Sequence, residues 1–181
     1  RSATAVEATR LTTLDVASRP VAPLPIGDGD WPQYRADAQC SAASSARVPA
    51  EVAQSWQFTP PTPCEPSAPV VAGEIVFVGS SEGALRAIDL TEGSVRWQAF
   101  TGGPIAFAPA IADGRLLAGS GDGSVYAYEA VSGRPLWRFR AAPVERKIHV
   151  HGRLLSTWPV ASGVLVDGNT VYAAAGIASY D

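Results

Sequence analysis

The chain of 181 residues contains no methionine, one asparagine, two histidines and two cysteines, and only 17% of it is charged. Each scarcity removes a class of reading. With a net charge of −3 and no stripe of Lys and Arg, nothing could neutralise a run of phosphates, which argues against a nucleic-acid partner. Apolar runs are broken by Gly, Ser or a charge within about ten residues, too short to cross a bilayer as a helix, so no transmembrane segment is expected. Gly79-Ser80-Ser81-Glu82-Gly83 and Gly119-Ser120-Gly121 stand at repeat-matched positions and read as equivalent strand-end turns rather than a nucleophile elbow, and there is no phosphate-binding glycine loop and no His-Glu-x-x-His pair. No catalytic residue can therefore be named. Cys40 and Cys64 lack the Cys-x-x-Cys spacing of a metal knuckle or haem attachment, and no metal site is assigned. Both sit in polar, turn-rich stretches. That leaves two readings: unrelated small residues, or a disulfide formed in an oxidising compartment.

What the chain does have is turn chemistry and apolar residues. Gly numbers 17, Pro 15, and 46% of the residues are hydrophobic, a composition suited to many short strands around a core. Residues 1–29 are the exception. The run Arg19-Pro20-Val21-Ala22-Pro23-Leu24-Pro25 cannot be helical, because each Pro fixes φ and removes a donor. This stretch is expected to be an extended linker, or an arm laid along a partner. Because the chain starts at Arg1 rather than Met, either an upstream segment or signal peptide is expected to have been removed, or the sequence is cut from a longer one.

The main signal is a repeat. Pro69-Val70-Val71-Ala72-Gly73, Gly79-Ser80, Gly83, Ala87-Ile88-Asp89, Gly93 and Trp97 return as Pro109-Ala110-Ile111-Ala112-Asp113, Gly119-Ser120, Gly123, Ala127-Tyr128-Glu129, Gly133 and Trp137, each displaced by 40 positions. A period near 40 without helical patterning is that of four-stranded propeller blades. Within the first copy the strands read as 68–72, 74–80, 85–90 and 95–100. Turns are expected at Ala72-Gly73, Ser81-Glu82-Gly83 and Thr91-Glu92-Gly93. Trp56 precedes Trp97 by 41 positions and marks an outer strand without a blade of its own. Residues 162–176 resemble the first two strands of a third copy.

The expected fold is all-β, a β-propeller of four-stranded blades, with about two and a half blades present. Residues 1–29 form the linker or arm, and 30–58 a lead-in segment with the outer strand. The blades span 59–181, divided as 59–100, 101–143 and a partial 144–181 carrying an insertion. A propeller hides its blade edges by closing radially, so a partial one needs further propeller sequence from its own or another chain.

Ala87-Ile88-Asp89-Leu90-Thr91-Glu92-Gly93-Ser94-Val95-Arg96-Trp97 resembles the tryptophan-docking repeat of quinoprotein-type (PQQ-like) propellers, Ala-x-Asp-x-x-Thr-Gly-x-x-x-Trp. The second copy follows it with Glu129 for the acid and Ser132 for the Thr. Asp30-Trp31-Pro32-Gln33-Tyr34-Arg35 resembles the opening of secreted bacterial members, which implies a periplasmic or extracellular location. The resemblance covers about 30–181. It implies that Trp97 and Trp137, with Trp56 before them, pack between blades. It implies too that Gly93 and Gly133 permit the turn and that Asp89 and Glu129 brace it. Family dehydrogenases hold a quinone beside an adjacent Cys pair, with a Glu-Asn-Asp set around Ca²⁺. This chain has no adjacent Cys pair, and Asn169 reads as a hairpin turn. No cofactor is thus expected in this segment, and PQQ with Ca²⁺ only if missing parts supply the site.

The most polar stretch is Glu145-Arg146-Lys147-Ile148-His149-Val150-His151-Gly152-Arg153, inside the insertion. On a strand His149 and His151 share a face and are a conceivable metal pair, but a charged, solvated edge explains them better. Arg146, Lys147, His149, His151, Arg153 and Trp158 are the candidate partner-binding residues. The expected function is a non-catalytic protein-binding or scaffold module, whose partner is another protein or the remaining propeller. The alternative is a segment of a PQQ-dependent dehydrogenase. A looser resemblance to the propeller subunit of the outer-membrane protein assembly machinery favours the first.

Overall fold

The computed structural model describes residues 10–15, 18–150 and 152–176. Among them there is no helix, and the strands are short and antiparallel. In chain order they are β1 (Leu11–Thr13), β2 (Val70–Ala72), β3 (Ile75–Gly79), β4 (Ala84–Asp89), β5 (Val95–Phe100), β6 (Ala110–Ala112), β7 (Arg115–Gly119), β8 (Ser124–Glu129), β9 (Pro135–Arg140), β10 (Lys147–Val150), β11 (Arg153–Ser156), β12 (Leu165–Asp167) and β13 (Thr170–Tyr172).

Two full blades follow one another. The first is β2-β3-β4-β5; the second is β6-β7-β8-β9 with β1 added outside β9. Equivalent strands have equal lengths, and the register slips at the same place, between Ala87 and Ile88 in one blade and between Ala127 and Tyr128 in the other. The β6–β7 turn is built on Asp113 and Gly114 (φ 48° and 71°), the Asp-Gly pairing that a tight hairpin favours. In the first blade the left-handed pair is Gly73 and Glu74, one position beyond the expected Ala72-Gly73. A third blade is begun by β12 and β13, and the sheets do not close on one another.

Alternation decides where the core sits. On β3, Ile75 and Phe77 are buried while Val76 and Val78 are half-buried. The buried set joins Val70 and Leu85 against Ile105, Ile111, Leu116, Tyr126 and Tyr128 of the second blade. The opposite face of the second blade supplies Leu117, Val125 and Leu136, which meet Val160, Val164 and Val166 of the third. Each buried large side chain contributes about 1.5–3 kcal/mol, so successive blades are held by apolar layers. β8, packed on both faces, is buried along its whole length. Gly79 and Gly119 are spaces in these layers: a Cβ there would stand 2.3 Å from Ile105 Cγ2 and 2.6 Å from Val160 Cγ1 respectively.

The described part of residues 1–29 runs extended along the chain's own blades. Leu11, Thr12 and Thr13 pair with Phe139, Arg138 and Trp137. Arg10 donates from Nε to the Arg140 carbonyl at 2.8 Å, and its guanidinium lies over the Phe139 ring. The extended Pro-rich run then passes the second blade's β8–β9 turn, where the Ala22 amide donates to Glu129, and reaches the first blade at Gly73.

Candidate functional site

The tryptophans are placed by backbone geometry. Trp56 lies on Gly93, where a Cβ would meet the indole at 2.6 Å, and its Nε1 donates to the Leu90 carbonyl at 2.7 Å. Trp97 repeats this one blade on. It lies on Gly133, again with 2.6 Å to a built Cβ, and donates to the Ala130 carbonyl at 2.9 Å. Gly93 and Gly133 have φ of 70° and 73°, so these positions favour glycine for the turn and have no room for a side chain beneath the ring. Trp97 also contacts Phe77 and Tyr128, at centroid distances of 6.0 and 6.4 Å. Trp137 differs. It is half-buried between two cavities of about 240 and 250 Å³, beside Val125, Phe139, Val166 and Val171.

The acids before these turns accept backbone amides. Asp89 takes the N–H groups of Thr91 and Glu92, each at 2.9 Å, and the Arg96 guanidinium at 2.6 Å. The Glu92 amide first and then Arg96 hold its carboxyl below the usual range. Glu129 accepts from Arg134, Ser132 and the Ala22 amide, and these, Arg134 foremost, bring it down to about 2. Arg134 also pairs with Asp15. The second blade's acid thus fastens the N-terminal arm as well as its own turn.

A residue that sequence reasoning passed over sits nearest the inner strands. Trp31 bridges Val71 of β2 through N–H and C=O, each at 2.9 Å. The Pro32 carbonyl accepts from Ile111 of β6 at 2.7 Å. The buried Gln33 amide then donates to the Val166 carbonyl at 3.2 Å and accepts its N–H at 2.9 Å. Three consecutive residues thereby bond the inner strands of three consecutive blades. The cue was Trp31-Pro32-Gln33 itself, an amide side chain next to a residue that lacks a backbone donor.

The first blade also holds a buried Arg86, which bonds Glu82, Gln98 and Ser80 and lies under the Phe58 ring. Its repeat equivalent is Tyr126, which donates to Asp122 at 2.6 Å and accepts from the Gly102 amide. Burial first, then Asp122, pushes the Tyr126 phenol up to about 12.

The insertion is a hairpin, β10–β11. Lys147 pairs with Ser156 and His149 with Leu154, so Lys147, His149 and Leu154 share one face. Arg153 donates to the Ser81 carbonyl at 2.8 Å, reaching the first blade. Arg146 and Lys147 are exposed, and His151 lies outside the described residues. Trp158 is half-buried behind the hairpin, with its amide donating to Ser156 Oγ. The thiols of Cys40 and Cys64 are free in this structure. Their segments are anchored to different blades. Cys40 borders a cavity of about 680 Å³ with Phe107, Leu165 and Tyr172, while Glu65, next to Cys64, bonds Ser81. No group of three or more His, Cys, Asp or Glu side chains able to hold a metal comes together among the described residues.

Repeated four-stranded blades that each receive the preceding tryptophan on a glycine turn define a segment of a PQQ-type β-propeller. The family model described as outer membrane protein assembly factor BamB matches residues 49–179, and the chain belongs to that family. The chain is 32% identical over 62 residues to outer membrane protein assembly factor BamB of Shewanella oneidensis, covering 34% of this chain and 16% of that protein. It is 32% identical over 90 residues to quinohemoprotein alcohol dehydrogenase ADH-IIG of Pseudomonas putida, covering 43% and 12%. A europium-containing methanol dehydrogenase matches the fold with a TM-score of 0.58 at 19% identity, over 80% of this chain and 27% of the other. The chain thus spans only a small fraction of each curated relative.

Proposed function

We propose that this chain is part of a larger PQQ-type propeller that works in the periplasm or outside the cell as a non-catalytic scaffold for another protein. The observation that carries this reading is the unfinished face of the third blade. Leu165 and Tyr172 pair on the side of β12–β13 away from Val166, and with Phe107 and Tyr34 they border an apolar cavity of about 680 Å³. In the two preceding interfaces the corresponding layer is filled by the next blade. The name of the BamB relatives, an outer membrane assembly factor, supports both the location and the protein-binding role.

Native mass spectrometry of the protein as purified, with and without reductant, tests this. The expected result is an assembly, or a longer chain, with further propeller sequence. A stable 18.8 kDa monomer would overturn it. The similarity to a quinohemoprotein dehydrogenase favours a second reading, a segment of a PQQ-dependent enzyme. A quinone mass with Ca²⁺ in the same spectrum would decide for that reading.

A further inference from the structure

We propose that the outer edge of β10 is a docking edge for an acidic, extended segment of a partner protein; the inference rests on the protein-binding reading above and names its chemistry. The hairpin has one occupied side and one open side. β11 faces the blades: the Ser156 amide donates to the Gly121 carbonyl at 2.8 Å, Arg153 holds Ser81, and Leu155 is half-buried against Gly121. Among the described residues β10 pairs with β11 alone, and Lys147, Ile148 and His149 are exposed. An antiparallel strand directs alternate N–H and C=O groups outward, so this edge offers backbone pairing to an added strand.

Charge selects the occupant. Residues 144–153 carry Arg146, Lys147 and Arg153 against Glu145, in a chain of net charge −3. The ion pairs of the described residues use Arg86, Arg96 and Arg134; neither Arg146 nor Lys147 is in one. A second copy of β10 would bring like charge against like charge, which a sheet edge rejects. An acidic strand reverses that sign. The register adds an alternation. Positions opposite Lys147 and His149 share the face with Leu154, which is 60% exposed; the position opposite Ile148 falls on the other face with Leu155. A segment alternating acidic and apolar residues satisfies both faces.

The test uses the full chain and fluorescein-labelled octapeptides: alternating Glu-Val, alternating Lys-Val, and a shuffled peptide of the Glu-Val composition. Anisotropy titrations are run on the wild type, on Arg146→Glu/Lys147→Glu, and on Arg47→Glu as an exposed control away from the hairpin, with thermal melts to confirm folding. The expected result is binding of the Glu-Val peptide in preference to the other two. The hairpin variant should weaken it about tenfold or more and Arg47→Glu should leave it unchanged, with slowed amide exchange at Lys147–Val150 on binding. Equal binding of acidic and basic peptides, no binding of the acidic one, or an equal loss in Arg47→Glu would overturn the proposal. If the acidic peptide fails while native mass spectrometry still finds further propeller sequence, this edge falls and the larger-propeller reading stands. A lone monomer that still binds the peptide gives the opposite outcome.

Discussion

The first and second blades share a strand plan and differ at the outside. Among the described residues β5 pairs with β4 alone and is exposed along most of its length, whereas β9 carries β1 and is largely covered. Non-repeated residues make the difference. Phe139, which stacks under Arg10, stands where the first blade has Ala99, and Arg134, which pairs with Asp15, stands where it has Ser94. Asp89 is spent on its own turn and on Arg96, while Glu129, one methylene longer, reaches its turn, Arg134 and the Ala22 amide together. Landmark residues therefore build a blade, and the positions between them determine what is added to its edge. The contrast at Arg86 and Tyr126 has the same form: one repeat position serves an ion pair under Phe58 in one blade and a phenol between blades in the other.

The comparison can be broken most strongly at the tryptophans. Trp97→Ala removes the ring between the two full blades and is expected to destabilise the chain by about 3–5 kcal/mol in a denaturant melt. Trp137→Ala, at a ring flanked by cavities, should cost about 1–2 kcal/mol. Equal losses would mean that the two landings are equivalent after all. Gln33→Leu spares both outer edges but leaves the buried Val166 amide and carbonyl unpaired, for an expected loss of about 1–3 kcal/mol and faster hydrogen exchange at Val166.

Arg134→Ser gives the second blade the residue of the first. It should speed exchange at Leu14 and Asp15, whose amides bond the Leu136 carbonyl, while leaving β2–β5 unchanged. The smallest effect is in pH. Glu129 is depressed from 4.5 to about 2 by Arg134, Ser132 and the Ala22 amide, so its stabilising contribution is complete above pH 4.5 and is lost as pH falls toward 2. The Ala22 amide shift in an NMR titration should therefore report a midpoint near 2, and Glu129→Gln should flatten it.

How much of this could be read beforehand depends on range. The 40-residue repeat carried the strand order, the turns and the partial third blade, because each is a local pattern written more than once. The glycine landings of Trp56 and Trp97 follow the same spacing. The arm did not announce itself: Leu11-Thr12-Thr13 is too short to read as a strand, and its partner lies more than a hundred residues away. Gln33 was missed for a related reason, since its partner Val166 is 133 positions on and neither residue is a repeat landmark. The β10–β11 hairpin was half legible. Strand alternation was read only for the shared face of His149 and His151, and nothing local to the insertion specifies its register against Arg153–Ser156.

The bonds of Trp31, Pro32 and Gln33 to three successive blades also have a consequence in time. These residues leave the ribosome before any of their partners, and at typical elongation rates Gln33 precedes Val166 by on the order of ten seconds. During that interval Gln33 has no strand to join. Each blade that emerges gives the lead-in segment the next bond in order, first Val71, then Ile111, then Val166. The segment thus keeps a tally of blades made, and a chain halted during synthesis would retain an unpaired Gln33 as the mark of an unfinished product.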